Sequence, residues 1–331
     1  MSLVYNRDQV IEIYSEARDR KWVIPSFNAE NNTTLEAVLN AAYIFGKEKN
    51  IKNLPIIIGI TNNYASRSQS VFYTHTKKWD IGLNLFLKSL EVLTSSDSPY
   101  QHLRVMVHLD HIQWDDDDEL LKWDMGKFSS IMYDASTLPI EKNIKNTAAY
   151  VESHGKEILI EGACDEISSS SDHQLTSPLQ AEKYFSETGV DIIVPNLGTE
   201  HRSSTSTLKY EGNLAREISN RIGPYLCLHG ASSLAEEQIS HFYDDGICKV
   251  NIWTILERDS APVLFKKMVE NASKIVGIAE AKEMLKKEYL GKKADLESSR
   301  SINFFTTSYR QEIIYQQMRD IVKTYLKLLF I

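Results

Sequence analysis

Short runs of apolar, largely β-branched residues alternate along the chain with longer stretches whose apolar positions recur at helical spacing. The runs are Trp22 to Phe27, Leu54 to Ile60, Leu103 to Leu109, Phe128 to Tyr133, Glu157 to Ile160, Asp191 to Val194, Tyr225 to Leu228 and Ile247 to Asn251. Between them, Thr33 to Lys49, Ile140 to Ser153, Pro178 to Thr188, Ala235 to Asp244 and Thr254 to Lys274 read as helices. Strands that are apolar almost throughout are covered on both faces, and parallel strands need crossover helices, so the alternation predicts a parallel sheet. Eight β/α pairs are what closure into a (β/α)8 TIM barrel requires. A doubly wound open sheet is the alternative, but no GxGxxG follows any strand.

Three segments decorate this pattern. The stretch from Ser66 to Gln101 is long for one crossover, with Ser95-Ser96-Asp97-Ser98-Pro99 as a loop inside it. The acidic run Asp115 to Glu119 reads as a solvated helix start, where acids suit the positive end. After the eighth pair, residues 275–331 form a C-terminal helical extension: a charged stretch from Lys282 to Arg300, then a helix from Ser308 to Leu329. Its apolar positions Ile313, Ile314, Met318, Ile321 and Leu326 suit a dimer contact or a helix folded back on its own barrel. The expectation is one barrel domain over residues 1–331.

Charge and composition narrow the partners. With 37 basic against 45 acidic side chains the formal charge is −8, which repels nucleic acid over most of the surface. No apolar run approaches the length of a membrane span and the first residues are polar, so neither a span nor a secretory signal is readable and a cytoplasmic location is expected. Cys164, Cys227 and Cys248 are odd in number and widely spaced, which fits reduced thiols.

In a (β/α)8 barrel the chemistry sits at the C-terminal strand ends. Here those ends carry Asn28, Thr61, Asp110-His111, Asp134 with Ser136, Glu161, Gly198-Thr199-Glu200-His201, His229-Gly230-Ala231-Ser232, and Asn251 with Thr254 behind it. Three of the nine histidines therefore converge on one rim. Three imidazoles with a position left open are the donor set of a catalytic zinc or similar divalent ion. The others read as structural: His108 lies inside its strand below the rim, and His75, His102, His154, His173 and His241 fall in loops or helices. Asp110, beside a candidate ligand, is either a general acid/base or a residue that orients the ligand. The turns at Gly230-Ala231-Ser232 and Asn251 to Thr254 could offer backbone N–H groups to a phosphate.

These residues also resemble a known family. Val107-His108-Leu109-Asp110-His111 resembles the HLDH motif of class II, metal-dependent fructose-bisphosphate and tagatose-bisphosphate aldolases. Pro25-Ser26-Phe27-Asn28, Ser130 to Ser136, Thr188-Gly189-Val190-Asp191, Gly198 to His201, Leu228 to Ser232 and Lys249 to Thr254 follow in the family's order, covering roughly residues 20–270. The resemblance implies a (β/α)8 enzyme in which His111, His201 and His229 bind zinc, and Asp110 is the acid/base at the hydroxyl whose carbon–carbon bond breaks. It implies that Asn251 hydrogen-bonds the enediolate left by cleavage. It places a ketose phosphate on Ser232, Thr254 and the Gly230 backbone, with Asn28 and Thr61 also in contact with substrate. Asp134 matches an acid serving a second, non-catalytic metal position. The implied reaction is reversible cleavage of a ketose phosphate to dihydroxyacetone phosphate and an aldehyde, by a homodimer or larger homo-oligomer.

The departures bear on the substrate. The family's V-E-x-E-L-G becomes Ile160-Glu161-Gly162-Ala163-Cys164-Asp165, which removes a carboxylate of the second metal position. Arg202 stands where a glycine usually helps bind phosphate or a monovalent cation, and an arginine there could clamp phosphate bidentately. Trp253 replaces an Asp common in the fructose-bisphosphate enzymes, and Glu166 is the local substitute for the catalytic acid of a glycine-rich loop. Three functions are compatible: an aldolase for fructose, tagatose or a specialised substrate; a metal-binding barrel in a regulatory role; or a metal-dependent hydrolase.

Overall fold

The computed structural model describes residues 2–65, 67–165, 175–199 and 210–331. Among the described residues there are nine parallel strands: β1 (Leu3–Val4), β2 (Ile24–Asn28), β3 (Pro55–Thr61), β4 (Arg104–Gln113), β5 (Ser130–Asp134), β6 (Leu159–Ala163), β7 (Ile192–Val194), β8 (Leu226–Leu228) and β9 (Ile247–Ile252). Strands β2 to β9 pair in the order β4-β3-β2-β9-β8-β7-β6-β5, and β5 returns to β4, which closes the barrel. This is a (β/α)8 TIM barrel with helices between its strands and a C-terminal helical extension. All eight barrel strands fall on the apolar runs of the sequence, displaced by a few residues at their ends. The two-residue β1 is too short to leave a pattern; it pairs with β4 at Val105 and Met106, directly below the β4–β5 contact that begins at His108.

Local chemistry explains the helix limits. The Asn31 side chain accepts from Thr33 and Thr34 N–H to start the helix Asn32–Lys49, and Ser177 with Pro178 starts Pro178–Thr188, which Gly189 ends at φ 70°. Several expectations need correction. The stretch Ala235 to Asp244 is helical only over Glu236–Ile239, and Thr254 to Lys274 divides at Asn271 into Thr254–Glu270 and Ala272–Val276. The run beginning at Trp22 enters the barrel only at Ile24, because Trp22 packs edge-on to Phe330 and the Val23 N–H is given to Leu329 O.

The acidic run Asp115 to Glu119 is a turn that leads into a single 3-10 turn, Leu120–Lys122, and not into an α-helix. Asp117 is buried and accepts from Asn62 Nδ2 (2.7 Å), the Asn63 N–H and the Gln113 N–H, so it ties the end of β3 to the end of β4. The long segment before β4 contains the helix Trp79–Leu93. The C-terminal helix Thr307–Leu329 folds onto its own barrel against Asn32–Lys49 and Thr254–Glu270, burying Met318, Val322, Tyr325, Leu326 and Leu329. Of the apolar positions named in the sequence, Met318 and Leu326 are buried, while Ile313, Ile314 and Ile321 remain partly exposed.

Candidate active site

Asp110 and His111 are adjacent in β4, and in a regular strand they would point to opposite faces. The β4–β5 register slips between Leu109 and Ile112, and His111 takes φ 50°, a left-handed conformation costing on the order of 1–3 kcal/mol for a non-glycine residue. The bulge brings both side chains to one side of the strand. The result is a buried group in which one donor atom each from Asp110, His111 and His229 lie within 4.8 Å of one another. The His111 and His229 rings meet edge to face at 4.8 Å, and Tyr64 stacks on His111 at 4.4 Å.

Each member is braced from behind. Asp110 accepts from Asn28 Nδ2 at 2.7 Å and from Asn251 Nδ2 at 2.8 Å, one amide on each oxygen. Asn28 fits because β3 offers Gly59 opposite it: a Cβ there would lie 2.2 Å from Asn28 Oδ1. Burial pushes the Asp110 carboxyl up, but positive charge on His111 and His229, with His108 adjacent, outweighs burial and holds it well below the usual carboxylate range. His111 Nδ1 lies 2.7 Å from Asp134 Oδ2, and Asp134 Oδ1 accepts from Ser136 N and Oγ. Although burial opposes it, this partnership holds Asp134 down to about 2, while Asp110 and Asp134 raise His111 against its own burial. A carboxylate fixing the far nitrogen of a ligating imidazole is a recurrent metal-site arrangement. At β8, Thr199 Oγ1 donates to His229 O at 2.7 Å.

With Nδ1 on Asp134, His111 would ligate through Nε2, and the two imidazoles suit a borderline divalent ion, with the Asp110 carboxylate held beside them by its two amides. A second group, Glu161, Cys227 and His229, is also close enough to hold an ion, but both Glu161 oxygens are within 2.8 Å of the Lys249 ammonium. The first group is the better fit. Asp134 stands behind His111 and outside both groups.

The cleft over this cluster is lined by Asn28, Thr61, Asp110, His111, His229, Gly230, Ser232, Asn251 and Thr254, so the structure brings these sequence-predicted residues together. Gly230 has φ 72°, and Thr254 is the first residue of Thr254–Glu270. His201, Arg202 and Glu166 lie outside the described residues. Tyr64, Arg67 and Gln69 also line the cleft and were missed. Gln69 joins Thr61 N–H (2.9 Å) and Asn28 (3.3 Å) to Glu30, which also holds the Arg67 guanidinium. Their sequence signal is position alone, in the segment that follows β3 and runs into the short helix Gln69–Phe72.

A closed parallel barrel whose strand ends gather a buried carboxylate and two imidazoles defines a TIM barrel with a candidate metal centre at its catalytic rim. The chain belongs to the class II fructose-bisphosphate aldolase family, whose model matches residues 8–301. Among solved structures, a fructose-bisphosphate aldolase from Campylobacter jejuni matches with TM-score 0.74 at 17% identity, covering 99% of this chain and 95% of that one. The YdjI aldolase from Escherichia coli K12 matches with TM-score 0.64 at 19% identity, covering 96% and 94%. At these identities the likeness speaks for the fold.

Proposed function

We propose that this protein is a metal-dependent aldolase that reversibly cleaves a ketose phosphate to dihydroxyacetone phosphate and an aldehyde. The observation that carries the reading is the gathering of Asp110, His111 and His229 within 4.8 Å, with Asn251 and Asn28 on the Asp110 oxygens. His111 and His229, with His201 as third ligand, would hold one zinc ion. When bound, that ion supplies Lewis-acid chemistry at a ketone and at the charge left by carbon–carbon cleavage.

The chain's own residues do the rest. Asp110, ionised and fixed by two amides, accepts the proton of the hydroxyl on the carbon that becomes the aldehyde, and returns it in the condensation direction. Asn251 gives one N–H to Asp110, and its second serves the substrate oxygen that gains charge. Gly230, Ser232 and Thr254 take the ketose phosphate, and Thr254 at a helix start adds the favourable end of the peptide dipoles. Arg202 serves the same phosphate, Glu166 is the second acid/base, and a monovalent cation accompanies the phosphate.

Fructose, tagatose and specialised ketose phosphates all remain within this reading, with Trp253 in the cleft wall as the feature that separates them. A cytoplasmic homo-oligomer belongs to this reading, and among the described residues no helix is long and apolar enough to cross a membrane. The test combines metal content with cleavage of fructose and tagatose bisphosphates, read as dihydroxyacetone phosphate, for wild type and His111→Ala. The expected result is about one zinc per chain, as three ligating histidines imply, and cleavage that disappears in the variant. A protein that takes up no divalent ion would sink the proposal.

A further inference from the structure

TIM-barrel interiors are ordinarily filled by layers of branched apolar side chains. The layer immediately below this cleft is polar. Two residues before Asn251, β9 carries Lys249; two residues before Asp110, β4 carries His108; β6 contributes Glu161 and β5 Ser130. Lys249, His108 and Glu161 are fully buried, at 0% exposure. Lys249 Nζ lies 2.7 and 2.8 Å from the Glu161 oxygens and 3.0 Å from His108 Nε2, and His108 Nδ1 lies 2.8 Å from Ser130 Oγ.

The donor inventory fixes the ring. An ammonium has protons to give and no acceptor, so His108 Nε2 must accept from Lys249 and the ring proton sits on Nδ1, donating to Ser130. That same Nε2 is 3.7 Å from Asp110 Oδ1, too far for a hydrogen bond but within reach of a small ring movement. An Nε2–H tautomer would donate to Asp110 Oδ1, which already accepts from Asn251, and so reduce the capacity of the carboxylate to take the substrate's proton.

We propose that Lys249 is a positioning residue that locks His108 in the tautomer unable to donate to Asp110, so that the carboxylate keeps its accepting capacity for substrate. The inference rests on the aldolase reading for its kinetic consequence, and on the core geometry alone for the tautomer. Well-packed apolar residues often replace a buried ion pair with little loss of stability, whereas removing one partner strands a charge.

The test therefore changes both partners. In Lys249→Met/Glu161→Met, ring 15N shifts of His108 should move from the Nδ1–H form of the wild type to the Nε2–H form. Melting temperature and bound metal should stay at wild-type levels, kcat for cleavage should fall at least about tenfold, within the range of general-base effects, and KM should stay within about threefold. Adding His108→Met, which removes the competing donor, should restore kcat in part. A wild-type His108 already carrying its proton on Nε2, or a double variant with undiminished kcat, overturns the proposal. If the wild type cleaves no ketose phosphate, the aldolase reading fails, while the 15N spectra still decide the lock.

Discussion

The two ends of the barrel carry two quite different cavities. At the starts of β6 to β9, under the helix Arg7–Asp19, lies the larger, about 800 Å3, walled by Tyr14, Trp22, Tyr225 and Tyr243 around Ile192 and Ile247. At the strand ends lies the smaller, about 540 Å3, whose floor is Asp110, His111, His229 and Asn251. The lower cavity's charges are spent on structure: Asp191 pairs with Arg7 and accepts the Ile160 N–H, and Tyr243 donates to Arg18 O. The upper one collects buried polar groups at the cost of a bulge and a left-handed histidine. Size and apolarity mark the better hydrophobic pocket, while convergence of strained, braced donors marks the chemistry. The contrast also follows the division of a TIM barrel into a catalytic and a stabilising face.

The comparison breaks first at Asp110. Asp110→Asn keeps the shape, retains both amide neighbours only if one of them turns its oxygen toward the new amide N–H, and removes the acceptor for a proton, so kcat should fall by about 10²–10⁴ with zinc content and melting temperature little changed. A variant within tenfold of wild type would return Asp110 to the rank of a bracing residue. Asp134→Asn comes next. It weakens the partner that orients His111, and metal affinity should drop by about 10–100-fold, measured by competition with a chromophoric chelator. An unchanged affinity would mean that Asp134 serves the fold and not the ion.

How much of this was legible differs between the two ends. Each barrel strand showed as an apolar run because both faces are covered, and Asp110, His111, His229 and Asn251 showed because strand-end position is a sequence property. What was hidden depends on contacts across the chain. His108 read as a structural histidine, since nothing local reveals Lys249, 141 residues later, beside its ring. Asp117 read as surface charge because its partners Asn62 and Asn63 lie 55 and 54 residues away. The bulge that turns His111 could not be read from residue type: histidine is enriched among left-handed residues, but such residues are so uncommon that one histidine in an apolar run does not mark a bulge. The lower cavity was invisible for the opposite reason: aromatic residues spread over a helix and three connections carry no shared period.

A smaller effect is expected at the edge of the upper cleft. Burial, with Glu30 adding to it, raises the Glu257 carboxyl to about 7, and Arg67 opposes the shift. A carboxyl that holds its proton more tightly in the folded state contributes no penalty below about pH 4.5, where both states are protonated. Between about pH 4.5 and 7 the unfolded carboxyl ionises while the folded one keeps its proton, so the cost grows, reaching at most about 3 kcal/mol and levelling off once the folded carboxyl ionises as well. Glu257→Gln should therefore match wild-type melting temperature near pH 4.5 and exceed it by a margin that widens to a plateau above about pH 8. A difference independent of pH would contradict this linkage.

The smallest change sharpens the comparison from below. Ile192 at the start of β7 is 3% exposed and lines the lower cavity, with no polar role to lose. Ile192→Val removes one methylene from a wall that cannot fully close over it, so stability should fall by about 0.5–1.5 kcal/mol, read by urea unfolding. Because the barrel wall separates this position from the cleft, kcat/KM for cleavage should stay within about twofold, inside the additivity expected of distant, unconnected sites. Asp110→Asn and Ile192→Val are then mirror images, one altering turnover without stability and the other stability without turnover. A kinetic defect in Ile192→Val larger than its loss of stability would show that the two ends are coupled, and the path to examine would begin at Tyr14, whose ring lines the lower cavity and whose buried hydroxyl feels the charge of Glu161.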